Sequence, residues 1–156
     1  MNPRIGHGFD IHPFTDDPGR RLVLGGITIP GPGLAGHSDA DVVGHAICDA
    51  LLGAAGMGDI GTHFPDTDPA FEGADSMELL ARVVSSVTAS WEIANVDTTV
   101  VLEAPRLAPH REDIQQRLQQ VVGAPVSVKA KRAEALGALG RREGIACFAV
   151  ALLVGG

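Results

Sequence analysis

Cysteine is scarce in this sequence of 156 residues, and tyrosine is absent. The two cysteines, Cys48 and Cys147, lie far apart in the chain. They offer neither the paired spacing of a cysteine zinc site nor the disulfide framework of a small secreted domain. A reducing compartment is therefore the simpler interpretation.

Positive charge is also in short supply. Twelve Lys and Arg residues stand against 19 Asp and Glu residues, so the formal net charge is −7 and the isoelectric point is near 5.2. This balance argues against a general nucleic-acid-binding protein. An anionic substrate would need local help from cations.

Long hydrophobic runs are missing as well. The N-terminus, Met1–Gly6, lacks the apolar core of a signal peptide, and the terminal run Ile145–Val154 is too short to span a bilayer. We therefore expect a cytoplasmic protein with neither membrane nor nucleic acid among its partners.

The composition that remains is that of an ordinary globular protein. Hydrophobic residues make up 45% of the chain and charged residues 20%, and the length suits a single domain over residues 1–156. Its 20 glycines are well above the usual share of about 7% and indicate many tight turns or close backbone approaches.

Apolar patterning predicts five strands and three helices. Arg4–His12 and Arg21–Ile29 are predicted as the two strands of a hairpin, because a turn-rich segment separates them. Ser38 is predicted to cap the first helix, which ends in the glycine-rich stretch Gly53–Gly58.

In the second half of the chain, Asp75 or Ser76 is predicted to cap a second helix, and Pro109 lies in the first turn of a third helix closed by Gly123. The remaining predicted strands are Ile93–Glu103, Val126–Lys131 and Ile145–Val154. This order favours an α+β fold with a mixed β-sheet and helices packed on one face.

Two short motifs place metal-binding side chains at suitable spacing. Asp10 and His12 are two residues apart, so on a strand both point to the same face. His45 follows on the first predicted helix, between Asp41 and Asp49, where a carboxylate could orient its imidazole ring. Three such ligands fit a zinc site with an open fourth position, although a lone histidine on an apolar helix is usually a core residue.

Two polar segments allow more than one interpretation. The acidic loop Gly58–Pro69 is either a rigid solvated connection or part of a site. A basic segment around Glu134 is either a solvated face or a phosphate-binding surface, and Glu134 could share Mg²⁺ with the phosphates. The cations of this segment are Lys129, Lys131, Arg132, Arg141 and Arg142.

No nucleophile elbow and no phosphate-binding loop motif occur in the sequence. Covalent catalysis and P-loop nucleotide binding therefore lack support. The residues alone indicate a metal-dependent enzyme that acts on a small phosphorylated substrate.

Longer motifs resemble a known family. The motifs are RIGHGFDIH at Arg4–His12, HSDADV at His37–Val42, DALLGAA at Asp49–Ala55 and GDIGTHFPDTDP at Gly58–Pro69. Together they resemble the 2-C-methyl-D-erythritol 2,4-cyclodiphosphate synthases, and the resemblance covers nearly the whole chain.

The resemblance implies two metal ions. Asp10, His12 and His45 would bind one Zn²⁺ per subunit, with Asp41 and Asp49 around them, and Glu134 would help to bind a second divalent ion, Mg²⁺ or Mn²⁺, on the substrate diphosphate. The family is a homotrimer with active sites between subunits.

Catalytic roles implied by the resemblance fall to His37, Ser38 and Arg132. The acidic loop would hold the methylerythritol part of the substrate, and Leu102–Ala108 would line a cytosine pocket. The residues implied to bind the substrate are Asp10, His12, His37, Ser38, Asp59, Ile60, Gly61, Phe64, Pro65, Asp66, Thr67, Asp68, Leu102, Glu103, Ala104, Pro105, Arg106, Leu107, Ala108, Lys131, Arg132, Ala133, Glu134, Ala138 and Arg141.

The implied reaction is intramolecular. The 2-phosphate of 4-diphosphocytidyl-2-C-methyl-D-erythritol 2-phosphate attacks the β-phosphate, which releases CMP and closes a cyclic diphosphate. Because one substrate carries both the nucleophile and the leaving group, this reaction explains the absence of a nucleophilic motif.

The sequence departs from the family mainly in the basic segment. Where the family usually has Lys-Ala-Thr-Thr-Thr-Glu, this chain has Lys-Ala-Lys-Arg-Ala-Glu at Lys129–Glu134, and Ala138 stands where Phe is usual. Two alternatives therefore stay open. One is a metal-dependent phosphohydrolase acting on a related nucleotide-linked substrate, and the other is a non-catalytic trimer that binds zinc or an isoprenoid phosphate.

Overall fold

A computed structural model describes residues 2–155 of the chain. The strands are β1 Arg4–Pro13, β2 Leu22–Leu24, β3 Ile27–Ile29, β4 Trp91–Val101, β5 Val126–Lys131 and β6 Gly144–Gly155. The helices are α1 Val42–Ala55, α2 Ile60–His63, α3 Ser76–Thr88, α4 Arg111–Val122 and α5 Gly137–Gly140, with 3₁₀ turns at Pro69–Phe71 and Ala108–His110.

One mixed sheet forms the frame of the fold. Its strand order is β1-β6-β4-β5, in which β6 runs antiparallel to both β1 and β4, and β5 runs parallel to β4. The parallel pair is connected through α4, because parallel neighbours need a crossover between them. The predicted α+β fold with a mixed sheet is confirmed.

The predicted hairpin between Arg4–His12 and Arg21–Ile29 is wrong. β1 pairs with β6 along its length, while the second segment folds on itself as β2 and β3. Gly25 and Gly26 join these two strands at φ values of 58° and 76°. Two residues with positive φ make the tight turn that suits a hairpin, so this local turn replaces the longer-range pairing.

Helices cover one face of the sheet. α1 packs against β1 and β6, α3 against α1 and β4, and α4 against β5. Their apolar residues and the inward side chains of the strands form one core, which includes the fully buried Ile47, Leu51, Val100 and Ile145. Among residues 2–155, no helix has both the length and the apolar character needed to cross a membrane.

The opposite face of the sheet is open in the single chain. Alternate residues of β1 and β6 point toward it, since successive strand residues face opposite sides. The large apolar side chains exposed there are Ile5, Phe9, Ile11, Phe148 and Val150. Phe9 and Phe148 are cross-strand neighbours with ring centroids 5.0 Å apart. A contiguous apolar surface of this kind is typical of an interaction site.

The first helix begins three residues later than predicted. Asp41, not Ser38, is the N-cap, and its carboxylate accepts hydrogen bonds from the N–H groups of Val43 and Gly44 at 3.1 Å each. The helix ends where predicted, with Gly56 as a left-handed C-cap at a φ of 72°. Ser38 was plausible from its sequence position, but the buried Asp41 side chain is the acceptor that reaches the first turn.

Contact between β1 and α1 is unusually close. A Cβ atom on Gly8 would lie 1.8 Å from the Ala46 carbonyl oxygen, and one on Gly6 would lie 1.8 Å from that of Ala50. Only glycine permits such an approach. The approach brings the next inward-facing residues of β1 against the first turns of α1.

Candidate active site

Three potential metal ligands converge where β1 meets α1. Asp10, His12 and His45 each offer one ligand atom within 4.8 Å of the other two. The Asp10 Oδ2 atom lies 3.1 Å from both His12 Nε2 and His45 Nδ1. The predicted convergence is confirmed, and one carboxylate oxygen with two imidazole nitrogens is a donor set that suits a divalent metal ion.

This close contact changes the acidity of two of the groups. Burial alone would raise the pKa of Asp10, but the hydrogen bonds and charges of His12 and His45 outweigh it, so the Asp10 pKa is lowered. Burial would lower the pKa of His12, but the Asp10 carboxylate outweighs it, so the His12 pKa is raised. The Asp10 carboxylate is therefore ionised and able to bind a metal ion, whereas at acidic pH a metal ion must displace a proton from His12.

Both imidazole rings are oriented by a second contact. His12 Nδ1 lies 2.8 Å from the Ala35 carbonyl oxygen, which can only accept, so Nδ1 carries the proton. His45 Nε2 lies 2.8 Å from the Ser76 hydroxyl, and this hydroxyl donates a short hydrogen bond to the Asp39 carboxylate. Nε2 of His12 and Nδ1 of His45 are therefore left facing Asp10, as a metal site requires.

Sequence reasoning missed Ser76 and Asp39 as part of this arrangement. Ser76 was considered only as a helix cap, and the structure gives that role to Asp75, whose carboxylate accepts from the Met77 N–H at 2.8 Å. Ser76 is fully buried. Its contact with His45 joins two helices, so no spacing pattern within one element signals it.

Asp41 and Asp49, predicted to orient His45, bond to backbone groups and not to the His45 ring, whose nitrogens contact Asp10, Ser38 and Ser76. The Asp41 carboxylate also accepts hydrogen bonds from the Gly25 and Gly26 N–H groups at 2.9 and 2.8 Å, and Asp49 accepts from the Ile60 N–H at 2.9 Å. Both carboxylates hold the β2–β3 turn and the start of α2 beside the site.

The metal-binding cluster opens into a cavity of about 430 Å³. Ten predicted site residues line it, and sequence reasoning missed three others, Gly36, Phe71 and Leu79. The predicted lining residues are Asp10, His12, His37, Ser38, His45, Ile60, Gly61, Phe64, Pro65 and Asp66. Residues of β1, α1 and the acidic loop therefore meet around one space.

Other acidic-loop residues shape the backbone instead of lining this cavity. Asp59 caps α2 by accepting from the Thr62 N–H at 2.8 Å, and Asp68 caps a 3₁₀ turn by accepting from the Ala70 N–H at 2.9 Å. The Asp68 carbonyl oxygen also lies 2.9 Å from His37 Nε2. The acidic loop thus orients His37, which is more than a solvated connection would do.

A second cavity, of about 190 Å³, lies between the end of β4 and the end of β5. Predicted residues line most of it, with Ala130 as an addition. The lining residues are Leu102, Glu103, Pro105, Arg106, Leu107, Ala108, Ala130, Lys131 and Arg132. Glu103 Oε2 accepts from Arg132 Nη2 at 2.9 Å, and the Arg132 contact lowers the pKa of Glu103.

Within one chain, the residues of the basic segment lie outside the lining of the metal-binding cavity, although the end of the segment leads into β6, whose first residue Gly144 pairs with Pro13. Among residues 2–155, the linings of the two cavities have no member in common. Glu134 lies in a left-handed turn at a φ of 55°, and Arg141 pairs with Glu143 at 2.6 Å. The predicted residues that line neither cavity are Asp59, Thr67, Asp68, Ala104, Ala133, Glu134, Ala138 and Arg141.

Known proteins resemble this chain over almost its full length. The model of the YgbB family matches residues 3–154. The 2-C-methyl-D-erythritol 2,4-cyclodiphosphate synthase of Pseudomonas putida strain W619 is 56% identical, over 97% of this chain and 98% of its own length. The protein of the same name from Trichlorobacter lovleyi is 51% identical over the same shares.

Solved structures share the fold. The bifunctional IspDF of Campylobacter jejuni matches with a TM-score of 0.94 and 39% identity, over 99% of this chain and 43% of that one. The IspF of Plasmodium falciparum, solved as a CDP complex, matches with a TM-score of 0.86 and 34% identity, over 99% of this chain and 97% of that one.

Proposed function

The chain belongs to the YgbB family, and from this premise we propose that it cyclises 4-diphosphocytidyl-2-C-methyl-D-erythritol 2-phosphate. An oxygen of the 2-phosphate attacks the β-phosphorus, the bond from that phosphorus to the bridging oxygen breaks, and CMP leaves with the bridging oxygen. The product is 2-C-methyl-D-erythritol 2,4-cyclodiphosphate of the non-mevalonate isoprenoid pathway. The chain is thus a phosphorus–oxygen lyase.

One observation carries this proposal. Bacterial cyclodiphosphate synthases match the chain at 51–56% identity across at least 96% of its length. The cavity geometry agrees with the match, because it joins a candidate metal site to polar groups that suit a phosphorylated polyol.

The metal-binding cluster is proposed to hold one Zn²⁺ per subunit through Asp10, His12 and His45. When bound, the ion polarises a phosphate oxygen and stabilises negative charge on it. His37 and Ser38 line the same cavity and stabilise the charge that develops during attack. Their contribution is electrostatic, and they form no covalent bond with the substrate.

Around this cluster, the acidic loop is proposed to hold the methylerythritol part of the substrate. Asp66 accepts hydrogen bonds from its hydroxyl groups, while Phe64 and Pro65 pack against its carbon skeleton. Holding the substrate in a folded conformation brings the 2-phosphate oxygen to the β-phosphorus. Such positioning supplies much of the rate enhancement in an intramolecular reaction.

The second cavity is proposed to receive the cytidine group through Leu102–Ala108. Lys131 and Arg132 at its edge bind the diphosphate by charge-assisted hydrogen bonds. Glu134 would help to hold a second divalent ion, Mg²⁺ or Mn²⁺, which would neutralise negative charge on the diphosphate. Arg132 takes the place of the hydroxyl that is usual in the family.

A homotrimer with active sites at subunit interfaces would unite the two cavities. Two observations support this assembly for the described part of the chain, residues 2–155. The apolar open face of β1 and β6 provides a surface for subunit contact. The cavities also share no lining residue within one chain, and we propose that the second cavity of one subunit completes the first cavity of its neighbour. We propose that this trimer, of one domain per subunit, acts in the cytoplasm.

Product analysis tests the proposed function. The purified protein is incubated with the cytidylyl substrate, Zn²⁺ and Mg²⁺, and the products are identified by ³¹P NMR and mass spectrometry. We expect CMP and the cyclic diphosphate in equal amounts, with neither formed after metal chelation.

Other product patterns would identify the alternatives. CMP with a linear phosphate product would indicate a phosphohydrolase. Thermal stabilisation by the substrate without any product would indicate a non-catalytic binding protein. Either result would overturn the proposal.

A further inference from the structure

The segment Leu34–Ser38, named here the histidine loop, carries three groups of the site. The Ala35 carbonyl oxygen orients the His12 ring at 2.8 Å, and the side chains of His37 and Ser38 line the metal-binding cavity. The position of this short loop therefore decides where all three groups lie.

The Arg20 guanidinium binds the histidine loop at three backbone oxygens. Its Nε atom donates to the Leu34 carbonyl at 2.8 Å, and its Nη2 atom donates to the carbonyls of Gly36 and Ser38 at 2.5 and 2.7 Å. Bonds from a charged donor to neutral carbonyls are stronger than ordinary backbone hydrogen bonds. One side chain thus spans the whole loop.

Arg20 and β1 bind opposite edges of this loop. The carbonyls that contact Arg20 belong to alternate residues, 34, 36 and 38. The intervening Ala35 turns the other way, where its N–H donates to the Pro13 carbonyl at 2.8 Å and its own carbonyl meets His12. In extended backbone, alternate carbonyls face opposite sides, so the loop is held like a strand between two partners.

We propose that Arg20 is a positioning residue for the reaction, whose guanidinium holds the histidine loop so that His37 and Ser38 face the phosphate and Ala35 orients His12. The part that concerns the phosphate rests on the proposed function. The part that concerns His12 does not, because it is a statement about the metal site alone.

Arginine is suited to this task in a way that lysine is not. The planar guanidinium presents donors in a fixed fork, whereas an ammonium group is a point charge on a flexible stem. The backbone of Gly33, immediately before the loop, packs closely against that of Arg20, since a Cβ atom on Gly33 would lie 2.5 Å from the Arg20 carbonyl oxygen. Without the guanidinium, the edge of the histidine loop that faces away from β1 would lose its hydrogen-bond donors.

Turnover of three variants tests the phosphate part of the proposal. Arg20→Ala removes the guanidinium, Arg20→Lys keeps the charge without the fork, and Arg21→Ala is the matched control at the exposed neighbouring position. For Arg20→Ala we expect kcat to fall about 100-fold with little change in KM, because misplaced stabilising groups act on the transition state. The kcat of Arg20→Lys should lie between those of Arg20→Ala and wild type, and the kcat of Arg21→Ala should equal the wild-type value. Added methylguanidinium should partly restore the kcat of Arg20→Ala.

Cobalt titration of the metal-free proteins tests the His12 part without turnover. The visible absorption of bound Co²⁺ reports its ligand geometry. We expect the Co²⁺ affinity of Arg20→Ala to fall about 10-fold or more, as for other losses of groups that orient a ligand. The absorption band should shift as well, while Arg21→Ala should keep both affinity and band.

The proposal would be overturned if Arg20→Ala, measured well below its melting temperature, kept both the wild-type kcat and the wild-type Co²⁺ affinity. Arg20 would then be a purely structural residue. If Arg20→Ala does not fold by circular dichroism, the same two measurements on Arg20→Lys decide. A wild-type protein that makes no cyclic product would refute the proposed function, and the cobalt result for Arg20 would stand.

Discussion

The metal-binding cluster and the basic segment differ in how each is held. Asp10, His12 and His45 lie between a strand and a helix, and both rings have a second hydrogen-bond partner. The Arg132 guanidinium lies at the surface with two-thirds of its side chain exposed, and Glu103 is its ion-pair partner. The first region is organised within one chain, whereas the second is open to a ligand or a neighbouring subunit.

Backbone geometry explains this difference. The metal-binding cluster lies where glycines of β1 let α1 approach closely, and buried core residues surround this contact between helix and strand. The basic segment instead passes through consecutive left-handed residues, Glu134 and Ala135, at φ values of 55° and 59°. Non-glycine residues rarely adopt this conformation, so such a turn depends on outside contacts for its stability. The Ala135 N–H provides one of them, at 3.3 Å from Glu103 Oε1.

Removal of His45 should have the largest effect, because it breaks the organised region at its centre. His45→Ala deletes one of three converging ligands, so we expect no metal retention after dialysis and CMP formation no higher than background. His110→Ala, a change at the start of α4 outside both cavities, is the control and should keep both properties. Unchanged zinc content in His45→Ala would show that the metal binds elsewhere.

The approach of α1 to β1 can be tested at Gly8. The methyl group of Gly8→Ala would lie 1.8 Å from a backbone oxygen, so we expect the free energy of unfolding in urea to fall by about 3 kcal/mol or more. Gly53→Ala is the matched change within α1, where the nearest atom lies 3.9 Å away. It should raise stability by about 0.5–1 kcal/mol, since alanine favours a helix. Equal stability of Gly8→Ala and wild type would contradict the close approach.

A finer test of the organised region is the orientation of the His45 ring. Ser76→Ala removes the hydroxyl between His45 and Asp39, and we expect metal affinity to fall about 10- to 100-fold in competition with a chelator. Ser85→Ala, an exposed position on the same helix, serves as the control. The role assigned to Ser76 fails if both variants bind metal equally well.

Arg132→Ala should have the smallest effect and should separate the two regions. Because Arg132 is two-thirds exposed but the side chain of its partner Glu103 is only 3% exposed, we expect the melting temperature to fall modestly while metal affinity stays at the wild-type value. Calorimetric affinity for cytidine diphosphate should fall by about 3- to 10-fold, through loss of one exposed charged contact. Arg111→Ala, an exposed cation on α4, should leave affinity unchanged. Lost metal binding in Arg132→Ala would show that the regions are coupled within one chain.

Sequence reasoning succeeded where adjacent residues carry the information. The Asp-x-His spacing predicted a shared face on β1, and the glycine-rich stretch predicted the end of α1. It failed at Gly25-Gly26, where two adjacent glycines form a tight turn and connect β2 and β3 as a hairpin. It also failed for the helix cap, because several acceptors precede α1 and only packing selects Asp41.

Contacts between distant segments were beyond the reach of spacing and periodicity. The Ser76 contact with His45 joins α3 to α1, and the Arg20 contacts join the segment before β2 to the histidine loop. Both depend on how elements pack after they form.

Short-range patterns were thus enough to predict the ligand types, the elements that carry them and, through the longer motifs, the family. Packing of the core decided which carboxylates reach the imidazoles, and that the two cavities stay separate within one chain. The physical reason is that periodicity depends on neighbours in the chain. The choice among competing hydrogen-bond partners depends instead on burial and distance between residues far apart in the sequence.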